Sequence, residues 1–296
     1  MSNLISNKSL TFGVIGAYNS RYSKEVIGSL RAIVCNHEEL EIIWVVTTEI
    51  TEELDVTNIR LIKKWGFSAS EARNYVIENT QSNYLVLMDS DMRLIPSRIQ
   101  GFINFLFEHG LVTARYDDHY LNTGKRRSVY SGANKLKYCG GFIAFRTDLV
   151  DGLRFDIDMN RMQDVLFSYK ICRSSPIKSI EVYPFHLYDH MTIGYNERER
   201  YDRLTIESFY KYRGILISKV PLFILQDRSS LIRMFILLLF TLDWQYALAS
   251  YIIFLLYSFI RLNHLYEFAR PILIDYGFLR GLIQGISWRF KGWYNR

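Results

Sequence analysis

Cysteine is scarce. There are three in 296 residues, Cys35, Cys139 and Cys172, far apart and with no C-x-x-C pair. That excludes a disulfide framework and suits a reducing, cytosolic setting. No signal-peptide pattern is expected, because the apolar run after Lys8 is short and reads as a strand. No helix-turn-helix, zinc-finger or RNP pattern occurs, so no nucleic-acid partner is expected. Internal repeats and low-complexity stretches are also missing. No apolar run reaches the ~20 residues needed to span hydrocarbon. Excess charge is modest at +6, which suits phosphate-rich ligands or an anionic membrane surface.

Apolar and aromatic residues are plentiful, at 49% and 15%, which argues for a packed protein that also touches lipid. Residues 10–190 alternate strands and helices. Leu10 to Ala17 reads as a first strand, Ser23 to Cys35 as a helix and Glu41 to Thr47 as a second strand. Ile59 to Ile62 reads as a third strand, and Ser68 to Glu78 as a helix capped by Ser68 or Ser70. Tyr84 to Met88 is a short, continuously apolar run, the pattern of a buried strand. This order predicts an α/β domain with a mostly parallel central sheet flanked by helices.

Asp89-Ser90-Asp91 follows that buried strand, at the sheet edge where open α/β folds bind ligands. In an extended segment, alternate positions point the same way, so both carboxylates would face one cation. Hard oxygen ligands suit Mg²⁺ or Mn²⁺ bound with substrate phosphates; the plain alternative is a solvated acidic turn. Upstream, Arg73 and Asn74 lie on a helix that starts after Gly66 and can face an anion. Downstream, Gly140-Gly141 allows a close backbone approach ahead of a short apolar strand. Asp164 opens an amphipathic helix, as a cap or as an aimed general base. His186 and His190 follow the strand Ile180 to Tyr183 and offer a third metal ligand.

Taken in order, these segments resemble the family 2 glycosyltransferases of GT-A fold, over about residues 10–190. The phrase Met88-Asp89-Ser90-Asp91-Met92 is similar to bacterial polysaccharide and chondroitin-polymerase-type members. The resemblance implies inverting transfer from a nucleotide-diphosphate sugar to a glycan or lipid-linked hydroxyl, assisted by Mn²⁺ or Mg²⁺. It implies a donor site of Asn19, Thr47, Glu49, Arg73, Asp89, Ser90, Asp91, Gly140 and Gly141. Asp91 would be the direct metal ligand, with Asp89 and His190 (His186 less so) beside it, and Asp164 the general base. Two departures stand out. The acidic pair that often closes the second strand is replaced by Thr47-Thr48-Glu49. The usual Glu-Asp pair reads Gln163-Asp164, which keeps the expected base and removes its like-charged neighbour.

Residues 215–296 have another texture, predicted as a mainly helical, membrane-associating region beside a 1–214 catalytic domain. Leu231 to Leu242 and Tyr246 to Ile260 are apolar runs separated by Asp243-Trp244-Gln245. Arg270, Arg280, Arg289, Lys291 and Arg296 interleave with aromatics, as an interfacial anchor requires. The expected location is the cytoplasmic face of a membrane, peripheral or shallowly inserted. Two competing functions are a nucleotidyltransferase making nucleotide sugars and a non-catalytic membrane adaptor. The first lacks its glycine-rich loop, since Ala17-Tyr18-Asn19-Ser20-Arg21-Tyr22 stands there.

Overall fold

The structure is a computed structural model that describes residues 9–16, 20–34, 40–49, 59–121, 124–192, 203–220, 245, 248, 251–252 and 275–287. The chain divides into two compact units, Met1–Gly194 and Tyr195–Arg296.

The first unit runs β1 (Leu10–Gly16), α1 (Ser20–Val34), β2 (Leu40–Val46), β3 (Arg60–Lys63), α2 (Ala69–Asn79) and β4 (Tyr84–Asp89). It continues with β5 (Met92–Leu94), α3 (Pro96–His109), β6 (Leu111–Tyr120), β7 (Arg126–Val129) and β8 (Lys135–Leu136). It closes with β9 (Ile143–Arg146), α4 (Gln163–Ser174) and β10 (Ile180–Thr192). One ten-stranded sheet has the order β3-β2-β1-β4-β9-β6-β10-β5, with β7 on β6 and β8 on β10. β3, β2, β1, β4, β6 and β10 run one way, and β5, β7, β8 and β9 run the other.

The central strands read as unbroken apolar runs because both faces are covered. On one face Phe12, Val14, Val86 and Met88 pack under α1 and α3 through Val26, Leu30, Ile99 and Phe102. On the other, Ile15, Leu85 and Leu87 pack under α2 and α4 through Val76, Phe167 and Ile171. Phe102 is fully buried and meets Phe142 edge-on, so Phe102→Ala costs about 3–5 kcal/mol. Ser68 caps α2: its hydroxyl accepts from the Glu71 amide at 3.3 Å, and the Glu71 carboxylate accepts from the Ser68 amide at 2.7 Å. That reciprocal box fixes where α2 starts and so where Arg73 lies.

β9 is antiparallel to β4, with Leu87 opposite Ile143. The start of β9 therefore neighbours the end of β4, and the Gly140-Gly141 loop falls beside Asp89.

In the second unit, α5 (Arg203–Lys219) packs against a helix over 275–287. The expected boundary at 214 falls within α5. Gly214, Gly281 and Gly285 let the two backbones approach so closely that a Cβ at Gly281 would land on the Lys211 carbonyl. No helix among the described residues is long and apolar enough to cross a membrane. The two long apolar runs lie outside the described residues, apart from 248, 251 and 252.

Candidate active site

Asp89 is the last residue of β4, and Ser90-Asp91 form a turn rather than extended chain. The Ser90 amide donates to the Ile15 carbonyl at 2.9 Å, and the Asp91 carbonyl accepts from Met191 at 2.8 Å. This turn corrects the expectation of two carboxylates aligned by strand alternation. Asp89 and Asp91 stay close but have different partners.

Asp89 Oδ1 accepts from Arg73 Nη2 at 2.6 Å. Arg73 is buried, and its guanidinium stacks 5.3 Å over the Phe155 ring. Burial disfavours its charge, yet Asp89, Asp164 and Asp91 hold its pKa above the usual arginine value. Burial pushes the Asp89 carboxyl up to about 6 against the pull of Arg73, and Asp91 and Asp164 add to the rise. The neighbour Asn74 serves the fold, exchanging bonds with Phe155 through Nδ2 at 3.0 Å and Oδ1 at 2.7 Å.

Asp91 Oδ2 lies 3.4 Å from His190 Nε2. Its Oδ1 is buried and has no hydrogen-bond partner among the described residues. His190 Nδ1 lies 2.9 Å from Asp118 Oδ1. Burial opposes a charge on His190, but the bonds to Asp118 and Asp91 outweigh it and lift the ring to about 10. A carboxylate with one buried, unpartnered oxygen, whose other oxygen faces an anchored imidazole, suits a divalent cation such as Mn²⁺ or Mg²⁺. Asp91 and His190 therefore fit such a cation, with Asp89 close enough to feel the Asp91 charge.

Asp164 is the second residue of α4, and the N-cap is Met162, left-handed at φ 58° and without a side-chain cap bond. Asp164 is thus not the cap. Its Oδ2 accepts from the Gly141 amide at 2.6 Å, and its Oδ1 accepts from the Val165 amide at 2.9 Å. Gly141 has φ +73°, a left-handed conformation that glycine adopts freely. A Cβ at Gly140 would sit 3.1 Å from Asp164 Oδ2. Two backbone amides thus aim the carboxylate and leave each oxygen a spare lone pair.

His186 does not join this site. Both histidines lie inside β10, which continues past Tyr183 to Thr192. His186 pairs with Arg115 and His190 with Asp118, so four steps on β10 match three on β6. An odd number of rungs puts the two rings on opposite faces. His186, Asp117 and Asp189 do place ligand atoms within 4.8 Å of one another. Asp189, however, carries both Arg93 and Arg126. Two guanidinium charges on one carboxylate oppose a cation there.

Thr47 and Glu49 follow β2, with Thr47 half-buried and Glu49 exposed. The Thr47 carbonyl accepts from Gly66 at 3.1 Å, which ties this loop to the one before α2. Asn19 lies outside the described residues. Asp118 and Arg127 are additions that the sequence reading missed, because pairing across strands has no local signature.

Comparison with solved structures finds the fold again. The S. aureus TarS 1–349 structure in complex with UDP-GlcNAc aligns with TM-score 0.53 at 16% identity, over 70% of this chain and 65% of that one. This chain spans just under two thirds of that 1–349 chain and 40% of the longer S. aureus TarS chain. The mannosyltransferase PcManGT from Pyrobaculum calidifontis, in complex with GDP-Man and Mn²⁺, aligns with TM-score 0.58 at 10% identity, over 95% and 88%. No curated protein matches by sequence. Residues 14–165 match the sequence profile of glycosyl transferase family 2. That span runs from the end of β1 to the start of α4, including Arg73, Asp89, Asp91, Gly140, Gly141 and Asp164, and the chain belongs to glycosyl transferase family 2.

Proposed function

We propose that the chain is an inverting glycosyltransferase that moves a sugar from a nucleotide-diphosphate donor to a hydroxyl of a glycan or lipid-linked acceptor. One observation carries this reading: a carboxylate aimed by two backbone amides, Asp164, shares a sheet edge with the Asp89–Arg73 pair and the Asp91–His190 pair. Asp164 takes the proton of the acceptor hydroxyl, whose oxygen attacks the anomeric carbon from the face opposite the leaving nucleotide. The new glycosidic bond forms as the bond to the diphosphate breaks, so the anomeric configuration inverts. Gly140-Gly141 leaves room for sugar against the backbone. Arg73 supplies a fixed positive charge beneath the site. Asp91 and His190 would hold Mn²⁺ or Mg²⁺, which offsets charge on the departing diphosphate. Thr47 and Glu49 stand at the sheet edge where the nucleoside would lie, with Asn19 and Ser90 completing the donor set.

Two donors frame the test, because TarS is solved with UDP-GlcNAc and PcManGT with GDP-Man. Nucleoside diphosphate release is followed with UDP- and GDP-sugars in the presence of Mn²⁺, and the anomeric proton of the product is read by NMR. Inversion supports the reading, and retention overturns it. The cytoplasmic-face, membrane-associated reading of residues 215–296 rests on their apolar runs and basic aromatic end. Vesicle flotation of the full chain against a chain ending at 224 tests it: equal flotation would remove the anchor.

A further inference from the structure

We infer that Asp118 is a positioning residue, held by Arg127, that fixes the His190 ring so that Nε2 is presented beside Asp91 as a cation ligand. The inference rests on the reading of Asp91 and His190 as the metal site.

Three strands carry it in one row. β10 pairs with β6 so that His190 lies opposite Asp118, and β6 pairs with β7 so that Asp118 lies opposite Arg127. Side chains directly across neighbouring strands share a face. Asp118 accordingly divides its carboxylate. Oδ1 meets His190 Nδ1 at 2.9 Å, while Oδ2 accepts from Arg127 Nε at 3.1 Å and Nη2 at 2.5 Å. Asp118 is 5% exposed, and Arg127 reaches solvent. A buried carboxylate is costly unless paired, and here both oxygens are occupied in fixed directions.

The consequence for the ring is chemical. An imidazole whose Nδ1 faces a carboxylate keeps its proton on Nδ1, so a cation arriving at Nε2 displaces the proton there and takes that lone pair. Nε2 is the atom that faces Asp91. Tyr116 stands edge-on to the ring, 6.2 Å between centroids, and bounds its motion from the side. The acidic row on the opposite face does not do this. Asp189 is matched by Arg93 and Arg126, and His186 Nε2 lies 2.9 Å from the Tyr188 carbonyl, so that ring is already committed to the backbone.

The test compares Asp118→Ala, Asp118→Asn and His190→Gln in the full chain. Mn²⁺ affinity is read from free-Mn²⁺ EPR in the presence of UDP and of GDP, and each nucleotide's affinity is also measured without metal. Asp118→Ala should weaken Mn²⁺ about 10–100-fold while metal-free nucleotide affinity changes less than about twofold. Asp118→Asn keeps an acceptor for Nδ1–H and should recover part of that loss. A merely structural aspartate would move both affinities together, or move only the melting temperature. Should Asp118→Ala fail to fold, wild-type Mn²⁺ affinity in Asp118→Leu, which keeps the bulk and removes the acceptor, overturns the inference. Wild-type Mn²⁺ affinity in Asp118→Ala, with loss in His190→Gln, overturns the positioning role alone. Wild-type affinity in His190→Gln overturns the metal site, and the inference with it.

Discussion

Arg73 and Asp89 form an ion pair of unequal halves: the arginine side chain is 4% exposed, whereas a third of the aspartate side chain reaches solvent, at 34%. Losing the acid strands a buried cation, whereas losing the arginine leaves a carboxylate that can still protonate or hydrate. Asp89→Asn should therefore destabilise more than Arg73→Met. The double variant should recover part of the sum. Urea denaturation of the three variants checks both statements, and strict additivity would rule out the coupling.

The diglycine loop should matter to turnover more than to stability. Gly140→Ala brings a Cβ to 3.1 Å from Asp164 Oδ2, tight enough to shift the carboxylate by a few tenths of an ångström. Misplacement of that order is expected to cost about tenfold or more in kcat, with little change in melting. Asp164→Asn removes the proposed base, and a loss of about 10²–10⁴ is expected.

His190 supplies a pH signature in the cation-free protein. Its folded pKa, lifted to about 10, lies above the 6.5 of a free imidazole. The protonated ring therefore favours the folded state. Its contribution is complete below about pH 6.5 and is lost as pH rises through 10. His190→Gln, which does not titrate, should melt about 2–4 °C lower than wild type at pH 6, a gap that closes toward pH 10. A gap that widens with pH would contradict the charged ring.

Two cysteines should resist alkylation in the native state. Burial pushes the Cys172 thiol up to about 11 and Cys139 higher still, with Asp164 adding to the second. At pH 8 the Cys172 thiolate fraction is then about 10⁻³. Peptide mapping after iodoacetamide should find Cys139 and Cys172 unlabelled in buffer and labelled in urea.

The second unit depends on close helix contact. Gly281→Leu forces α5 and the 275–287 helix apart, because the space beside Gly281 is filled by the Lys211 backbone. A loss of about 3 kcal/mol is expected from overpacking. Limited proteolysis should cut residues 195–296 faster in this variant, while fragments of 1–194 persist.

How far the sequence could be read depended on how local the cause was. β1, β2 and β4 announce themselves, because sheets covered on both faces need continuous apolar runs. The Ser68 cap is legible for a similar reason: donor and acceptor lie three residues apart. β10 is harder. Pro184 interrupts it, and proline usually ends a strand, so the run reads as finished at Tyr183. The pairing shifts between Tyr183 and His186 and then resumes to Thr192. Asp118 gives less still. It sits in a polar stretch, Arg115-Tyr116-Asp117-Asp118-His119, whose meaning comes from β7 and β10, 9 and 72 residues away. Asp89 and Asp91 were found through their flanks, but the Ser90 turn that separates them is set by β1 and β10.

The irregular pairing of β10 also decides how this site should be traced in related chains. His190 is reached by counting rungs along β6 from Arg115 to Asp118, not by counting residues along its own strand. A relative with one residue more or fewer before this point would offer a different sequence position to the same carboxylate. Alignment by spacing would then choose the wrong residue, whereas alignment by the partner aspartate would still arrive at the counterpart of His190.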